Sequence, residues 1–319
     1  MARPRAYAYG VTLGFLADRA LGDPRRGHPV ALFGRAATRA ERLLWQDSRA
    51  AGAVCTALCV GGPGLMAAAL DRAARRARSP LPHLALTAVA AWAALGGTSL
   101  TREARAVGAA LAAGDLPAAR AGLPHLCGRD PDALDADGLA RAVLESVAEN
   151  TSDAVVGALV WGAAAGVPGL VAFRAVNTLD AMHGHRSPRY RRFGWAAARL
   201  DDVAGWPGAR LTAGLAALAG PDPRGALRAW RRDAFRHPSP NAGPVEAAFA
   251  GALGVRLGGT LAYGGRVEHR PVLNASGARA TACDIERASG LSRRVGLLTL
   301  VATTGVRAAV SASRRRRKR

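Results

Sequence analysis

The chain has 319 residues, with 44 Lys and Arg against 23 Asp and Glu, a formal charge of +21, and half of its residues apolar. That apolar share excludes an intrinsically disordered chain. The four cysteines, Cys55, Cys59, Cys127 and Cys283, lack the spacing of a zinc site and predict no disulfide framework. So basic a balance admits nucleic acid, an anionic membrane or acidic small molecules as partners. Neither a known nucleic-acid module nor basic–aromatic interleaving is present, which argues against nucleic acid.

In chain order, residues 1–17 open with arginine and continue mostly apolar, without a convincing small-residue cleavage site, and read as an uncleaved first helix. Asp18, the Gly22-Asp23-Pro24 turn and His28-Pro29 follow; an Asp before a Pro is an ordinary helix-ending turn. Residues 50–70, 79–101 and 154–173 carry no Asp, Glu, Lys or Arg. Each is long enough to cross a bilayer, which takes about 20 residues. A shorter apolar run covers 295–306. Arginines between apolar blocks fit the flanks of membrane spans, so the expected class is an all-α, polytopic helical membrane protein. Because the runs are Ala-rich, a soluble helical bundle is the alternative. One domain over 1–313, with a solvated basic tail at 314–319, is expected.

Two apolar runs contain helix breakers, Gly61-Gly62-Pro63-Gly64 and Gly166-Val167-Pro168-Gly169, and each predicts a helical hairpin instead of a straight span. Strand signals are sparse. Gly205-Trp206-Pro207-Gly208 and His237-Pro238-Ser239-Pro240-Asn241 read as loops. Residues 132–150 read as an amphipathic helix capped by Asp135 or Asp137.

Chemistry concentrates in Glu145-Ser146-Val147-Ala148-Glu149-Asn150-Thr151-Ser152-Asp153. Residues four apart stack on one helix face, so Glu145, Glu149 and Asp153 form an acidic stripe with Asn150 beside it. No Lys or Arg lies between Arg141 and Arg174, so a cation from elsewhere neutralises the stripe or it faces water. Beside an apolar run, a metal or cationic-substrate site is favoured. Asn177-Thr178-Leu179-Asp180 follows the same run. A turn at 166–169 makes the two legs nearly equal and is expected to bring both acidic groups to one mouth. Asp201 and Asp202 are adjacent carboxylates suited to a divalent ion, although Arg199 three residues before Asp202 offers a local ion pair. The loop with Ser239 and Asn241, and Glu246 beyond it, carries fixed polar groups beside a helix start, an arrangement that connects elements or binds an anion.

Seven blocks together resemble one family, the cobinamide-phosphate synthases of cobalamin biosynthesis. They are FLADRALGDPRRGHPV (15–30), GRDPDALD (128–135), ESVAENTSD (145–153), NTLDAM (177–182), RRFGWAAARLDD (191–202), HPSPNAG (237–243) and GALGVRLGG (251–259). Ala181 stands where the family usually has Ser, and Val245-Glu246 where it has a Pro-Glu pair. The resemblance implies a multi-pass inner-membrane ligase with its active site on the cytoplasmic side. It implies amide formation between adenosylcobyric acid, a corrinoid, and (R)-1-aminopropan-2-ol or its O-phosphate, with ATP consumed and Mg²⁺ as metal. Under it, Glu145, Glu149, Asn150, Asp153, Asp180 and Arg199 are the catalytic candidates. Arg174, Asn177, Ser239, Asn241 and Glu246 are candidates for substrate or nucleotide. Asp18, Asp23, Asp201 and Asp202 are candidates for the metal. The lipid bilayer is an expected partner and nucleic acid is not. Contact with other enzymes of the pathway, the oligomeric state and the acceptor's phosphorylation are left open. A non-catalytic membrane scaffold or sensor of the same helical type is the alternative.

Overall fold

The computed structural model describes residues 3–24, 27–185, 187–263 and 266–316, and 79% of it is helical. The helices begin with α1 Arg3–Leu21, α2 Pro29–Leu44, α3 Arg49–Arg76, α4 Leu81–Ala94, α5 Gly97–Ala112, α6 Leu116–Gly122 and α7 Ala136–Thr151. They continue with α8 Gly157–Ala165, α9 Val167–His183, α10 Tyr190–Phe193, α11 Trp195–Ala219, α12 Pro223–Asp233, α13 Ala242–Leu253 and α14 Ala282–Arg316. One antiparallel hairpin, β1 Leu257–Tyr263 with β2 Arg266–Leu273, is the sheet among the described residues. Two compact units result. Unit 1 takes Met1–Gly96, Gly157–Gly205 and Thr299–Arg319, and unit 2 takes Gly97–Val156 and Trp206–Leu298.

Glycine lets the helices of unit 1 approach closely. Gly10 and Gly14 of α1 face α4, where an added Cβ would lie 2.7 Å from the Leu84 carbonyl oxygen and 2.5 Å from that of Ala88. Small residues four apart allow this backbone contact. Cys55, Cys59, Leu179, Phe193, Ala37 and Ala197 form a buried core, so Cys55 and Cys59 pack as small hydrophobes, and all four cysteines are free.

The break at Gly166 forms the expected hairpin. Gly166 has φ 75° between α8 and α9, a conformation open to glycine. Past it, Gly169 lies so close to α8 that an added Cβ would sit 2.0 Å from the Trp161 carbonyl oxygen. Arg307 Nη1 donates to the carbonyls of Gly162 and Ala163 at 3.0 and 2.6 Å, satisfying the end of α8. Residues 154–173 are therefore not a straight span; the nine residues of α8 reach only about 14 Å at 1.5 Å per residue.

The other expected break does not form. α3 continues through Pro63, and α11 likewise runs through Pro207, which the sequence places in a loop. A proline costs a helix one hydrogen bond, and packing of α3 on α2, α4 and α9 retains the helix. α14 continues through Arg314, Arg315 and Arg316, the first half of the expected tail, while 317–319 lie outside the described residues.

Two helical segments, Arg49–Arg76 and Leu81–Ala112, are long and apolar enough to cross a membrane. The second includes the break at Leu95-Gly96 between α4 and α5. Only 22% of the apolar window of α3 is buried, and Val54, Leu58, Leu65, Met66 and Leu70 are exposed.

In unit 2, α13 is buried along its whole length. It crosses α12 at paired glycines, where a Cβ on Gly251 would stand 2.2 Å from the Gly225 carbonyl oxygen. α7 is capped by Asp135, whose carboxylate accepts from the Gly138 N–H at 2.8 Å. It is buried nearly all round from Gly138 to Ala148, beyond the one-sided burial of an amphipathic surface helix.

Gly169→Ala is expected to lower the melting temperature of the purified protein, with a cost of about 1–3 kcal/mol or more from overpacking. Gly214→Ala, on α11 with nothing within 4 Å of its added Cβ, is expected to be neutral or stabilising by up to about 1 kcal/mol. Thermal unfolding of the two variants side by side checks the hairpin contact.

Candidate functional site

In unit 2 the acidic stretch is divided by its surroundings. Glu145 is buried on α7, Glu149 is exposed and Asp153 is half-buried. After Thr151 the helix widens into a π-helical turn over Ser152–Val156, which carries Asp153. Such turns recur at functional sites. Thr151 Oγ1 bridges the Val147 carbonyl and the Ser292 hydroxyl, each at 2.6 Å. Asn150 Nδ2 donates to the Ser146 carbonyl at 2.9 Å.

The cation that neutralises Glu145 is Arg129, from the loop before α7. Its guanidinium is hydrogen-bonded to the Glu145 carboxylate, and both side chains are buried. The other Glu145 oxygen accepts from the Gly258 N–H at 2.6 Å. Glu145 thus joins the loop, α7 and β1.

Glu246 on α13 is buried. Burial first, then the neighbouring charges of Glu145 and Glu149, push its carboxyl well above the usual carboxylate range, while Arg129 and Arg270 act in the opposite direction. His237 Nε2 lies 3.8 Å from Glu246 Oε1, and burial lowers the basicity of this imidazole. The Glu246 carboxyl therefore holds its proton to a higher pH than an exposed glutamate. In the same loop the Ser239 hydroxyl accepts from the N–H groups of Asn241 and Ala242 at 3.3 and 3.1 Å. The Asn241 carbonyl accepts from Arg210 at 3.0 Å. Both candidates are held as parts of the entry into α13.

In unit 1, α9 carries Arg174, Asn177 and Asp180. Arg174 Nη1 and Asn177 Oδ1 are 3.5 Å apart. Burial, then the nearby charge of Asp202, raise the Asp180 carboxyl above its usual range, and His185 lowers it. Gly184 leaves room for Asp180; an added Cβ would fall 2.0 Å from Asp180 Oδ1. Asp202 also meets Arg199 at 3.2 Å, an exposed pair of a kind worth little by itself. Asp201 is half-buried beside it on α11. Asp18 is buried on α1, and Asp23 pairs with His28 Nε2 at 3.3 Å. Among the described residues, no group of three or more His, Cys, Asp or Glu side chains is gathered to hold a metal ion. Asp153 belongs to unit 2 and Asp180 to unit 1.

A second polar cluster of unit 1 was not expected. Glu41, buried on α2, accepts from Arg189 at 2.9 Å and from the Tyr190 hydroxyl at 3.0 Å. His183 Nε2 approaches its other oxygen at 3.4 Å. Burial raises the Glu41 carboxyl, but the bonds from Arg189 and Tyr190 outweigh it and hold the group below the usual range. The signal was present in the sequence: Ala37, Ala40, Glu41 and Leu44 share one face of α2 at helical spacing, so Glu41 is the charged member of an apolar face.

The fold and these sites define a helical protein with two apolar segments of membrane-crossing length and carboxylates held among arginines. The family profile described as CobD/Cbib protein matches residues 11–292, and the chain belongs to this family. The cobalamin biosynthesis protein CobD of Mycobacterium tuberculosis is 56% identical over 292 residues, covering 90% of this chain and 92% of the relative. The protein of the same name from Chromobacterium violaceum is 44% identical over 291 residues, 88% and 91% of the two chains. That of Rhodobacter capsulatus is 41% identical over 285 residues, 87% and 90%. No solved structure matches the chain.

The raised Glu246 carboxyl has a consequence for stability. The folded protein holds this proton where the unfolded chain has released it, so the contribution is full below the ordinary glutamate range and is lost as pH rises through the folded value. Glu246→Gln keeps the neutral shape. Its melting temperature is expected to gain on that of the wild type as pH rises from about 4.5; a difference that stays flat with pH contradicts the upward shift.

Proposed function

We propose that the protein acts in cobalamin biosynthesis as a cobinamide-phosphate synthase, joining a propionate of adenosylcobyric acid to (R)-1-aminopropan-2-ol or its O-phosphate at the expense of ATP. The observation that carries this is the match to the CobD/CbiB family over residues 11–292, together with relatives named for cobalamin biosynthesis that cover about nine-tenths of the chain.

A carboxylate is a poor acyl donor and requires activation. In this reading a propionate oxygen attacks the γ-phosphorus of ATP and ADP leaves, forming an acyl phosphate. The amine then attacks the acyl carbon, phosphate leaves with the bonding electrons, and one amine proton passes to a base. Mg²⁺, when bound, would neutralise phosphate charge and align the transferring group. Mg²⁺ on a nucleotide commonly takes one or two protein carboxylates and keeps several waters. Asp180 and Asp202, near enough for the charge of Asp202 to act on the Asp180 carboxyl, would supply that donor set. Arg174 and Arg199 are suited to phosphate oxygens.

Membrane residence is part of the proposal. The apolar window of α3 is largely exposed, whereas the core helix of a soluble protein buries such a surface. The competing reading is a non-catalytic membrane scaffold, which predicts no turnover.

Membranes carrying the protein, incubated with adenosylcobyric acid, ATP, Mg²⁺ and each amine in turn, are expected to yield the amide with one of them. Absence of product with both amines overturns the proposal. Asp180→Asn and Asp202→Asn are expected to insert normally and to lose about 100-fold or more in rate, the scale of a lost charge-stabilising group. Wild-type rates in both remove these carboxylates from the mechanism.

A further inference from the structure

Unit 2 contains a cleft of about 490 Å³ whose wall carries Arg141, Arg256 and Arg279 and whose floor is Gly258-Gly259. None of these residues has a role in the chemistry described above. The volume lies within the range of small-molecule sites, about 300–1,000 Å³.

The charges of the cleft do not cancel. Asp135 is engaged as the cap of α7, accepting from Gly138. Asp137 pairs with Arg279 at 3.3 Å. Glu145, which reaches the Gly258 N–H, is already matched by Arg129. Arg141 Nη2 donates to the Thr260 carbonyl at 2.8 Å, but its Nε is buried without a hydrogen-bond partner. The Arg256 guanidinium forms no hydrogen bond or ion pair among the described residues. Arg141 and Arg256 therefore line the cleft with guanidinium groups whose hydrogen-bonding capacity is not filled by the protein. A buried donor left unmade costs about 1–3 kcal/mol.

The floor is shaped to let a ligand approach these donors. Gly258 and Gly259 have φ 80° and 87°, and the strand register shifts between Leu257 and Gly259. A Cβ on Gly258 would fall 2.1 Å from the Pro271 carbonyl oxygen, and one on Gly259 would stand 3.4 Å from Arg141 Nη1. Glycine at 259 keeps the face of that guanidinium clear. Bulges of this kind re-aim groups beside active sites.

We infer that this cleft binds the phosphate group of a small phosphate-bearing molecule, with Arg141 and Arg256 as its principal ligands. Planar guanidinium forks match phosphate oxygens bidentately, and a glycine floor admits the tetrahedral group. Two sources of that chemistry exist under the proposed function, which this inference rests on only for the ligand's identity: the phosphates of a nucleotide and the phosphate of an amino alcohol.

Equilibrium binding to the purified full-length protein tests it without requiring turnover. The probes are inorganic phosphate, ATP, 1-aminopropan-2-ol O-phosphate and the unphosphorylated amino alcohol. Arg256→Gln is expected to weaken at least one phosphorylated probe about 10-fold or more, the scale of one lost hydrogen bond to a charged group, with no change for the unphosphorylated probe. Arg279→Gln, which leaves the Asp137 carboxylate of the same cleft uncompensated, gives a second reading and is expected to weaken binding in the same sense. Arg228→Gln is the control; that arginine is exposed on α12, outside the cleft, and is expected to leave all affinities unchanged. Weakening confined to ATP identifies the ligand as a nucleotide, and weakening confined to the O-phosphate identifies it as the amine substrate. Unchanged affinities in Arg256→Gln and Arg279→Gln, or no phosphorylated probe binding the folded wild type below about 10 mM, overturn the inference. Phosphate binding without amide formation would leave the cleft standing while the proposed reaction falls.

Discussion

The organisation of unit 2 depends on one buried carboxylate. Glu145 accepts from Arg129 on one oxygen and from the Gly258 N–H on the other, so a single side chain joins the loop before α7, α7 itself and the β-hairpin. Removing a charge from water costs several kcal/mol, and breaking such a pair leaves that cost uncompensated. The pair is consequently a constraint on where three segments lie more than a source of net stability. The Gly258 bulge that it anchors is also the floor of the arginine cleft.

The same economy recurs elsewhere: a charged group fixes an irregular piece of backbone that regular hydrogen bonding leaves open. Arg307 satisfies the last carbonyls of α8 beside the Gly166 turn. Asp233, buried at the end of α12, accepts from Arg232 and from the Asn274 N–H, where Asn274 has φ 52°. Apolar helices supply the bulk of the fold, and arginine paired with carboxylate or carbonyl sets the joints. This accounts for part of the arginine content without invoking nucleic acid.

The sequence exposed those features whose causes are local. The Asp135 cap and the Gly166 turn follow from residue type and position, and the helical class follows from composition and periodicity. Pro63 and Pro207 misled because a helix keeps its course through proline when neighbouring helices hold it. The pairing of β1 with β2 was hidden because glycine and Pro271 are weak strand signals. In the acidic stretch, helical spacing put Glu145 and Glu149 on one face of α7, whereas the π-helical turn that carries Asp153 has no local sequence signal. The neutralising cation was expected from elsewhere, and it comes from the quoted block GRDPDALD, where Arg129 carried no local sign of its partner. Glu41 was legible from its helical face, whereas its partners His183, Arg189 and Tyr190 lie more than 140 positions away and no short-range pattern joins them.

A double-mutant cycle at Arg129 and Glu145 tests the dependence on this pair most directly. Arg129→Met and Glu145→Gln are each expected to destabilise the purified protein strongly, by about 3–5 kcal/mol, because each leaves a buried partner uncompensated. Thermal or denaturant unfolding of the double variant is predicted to show a loss no greater than that of either single change. Two losses that simply add would contradict the account.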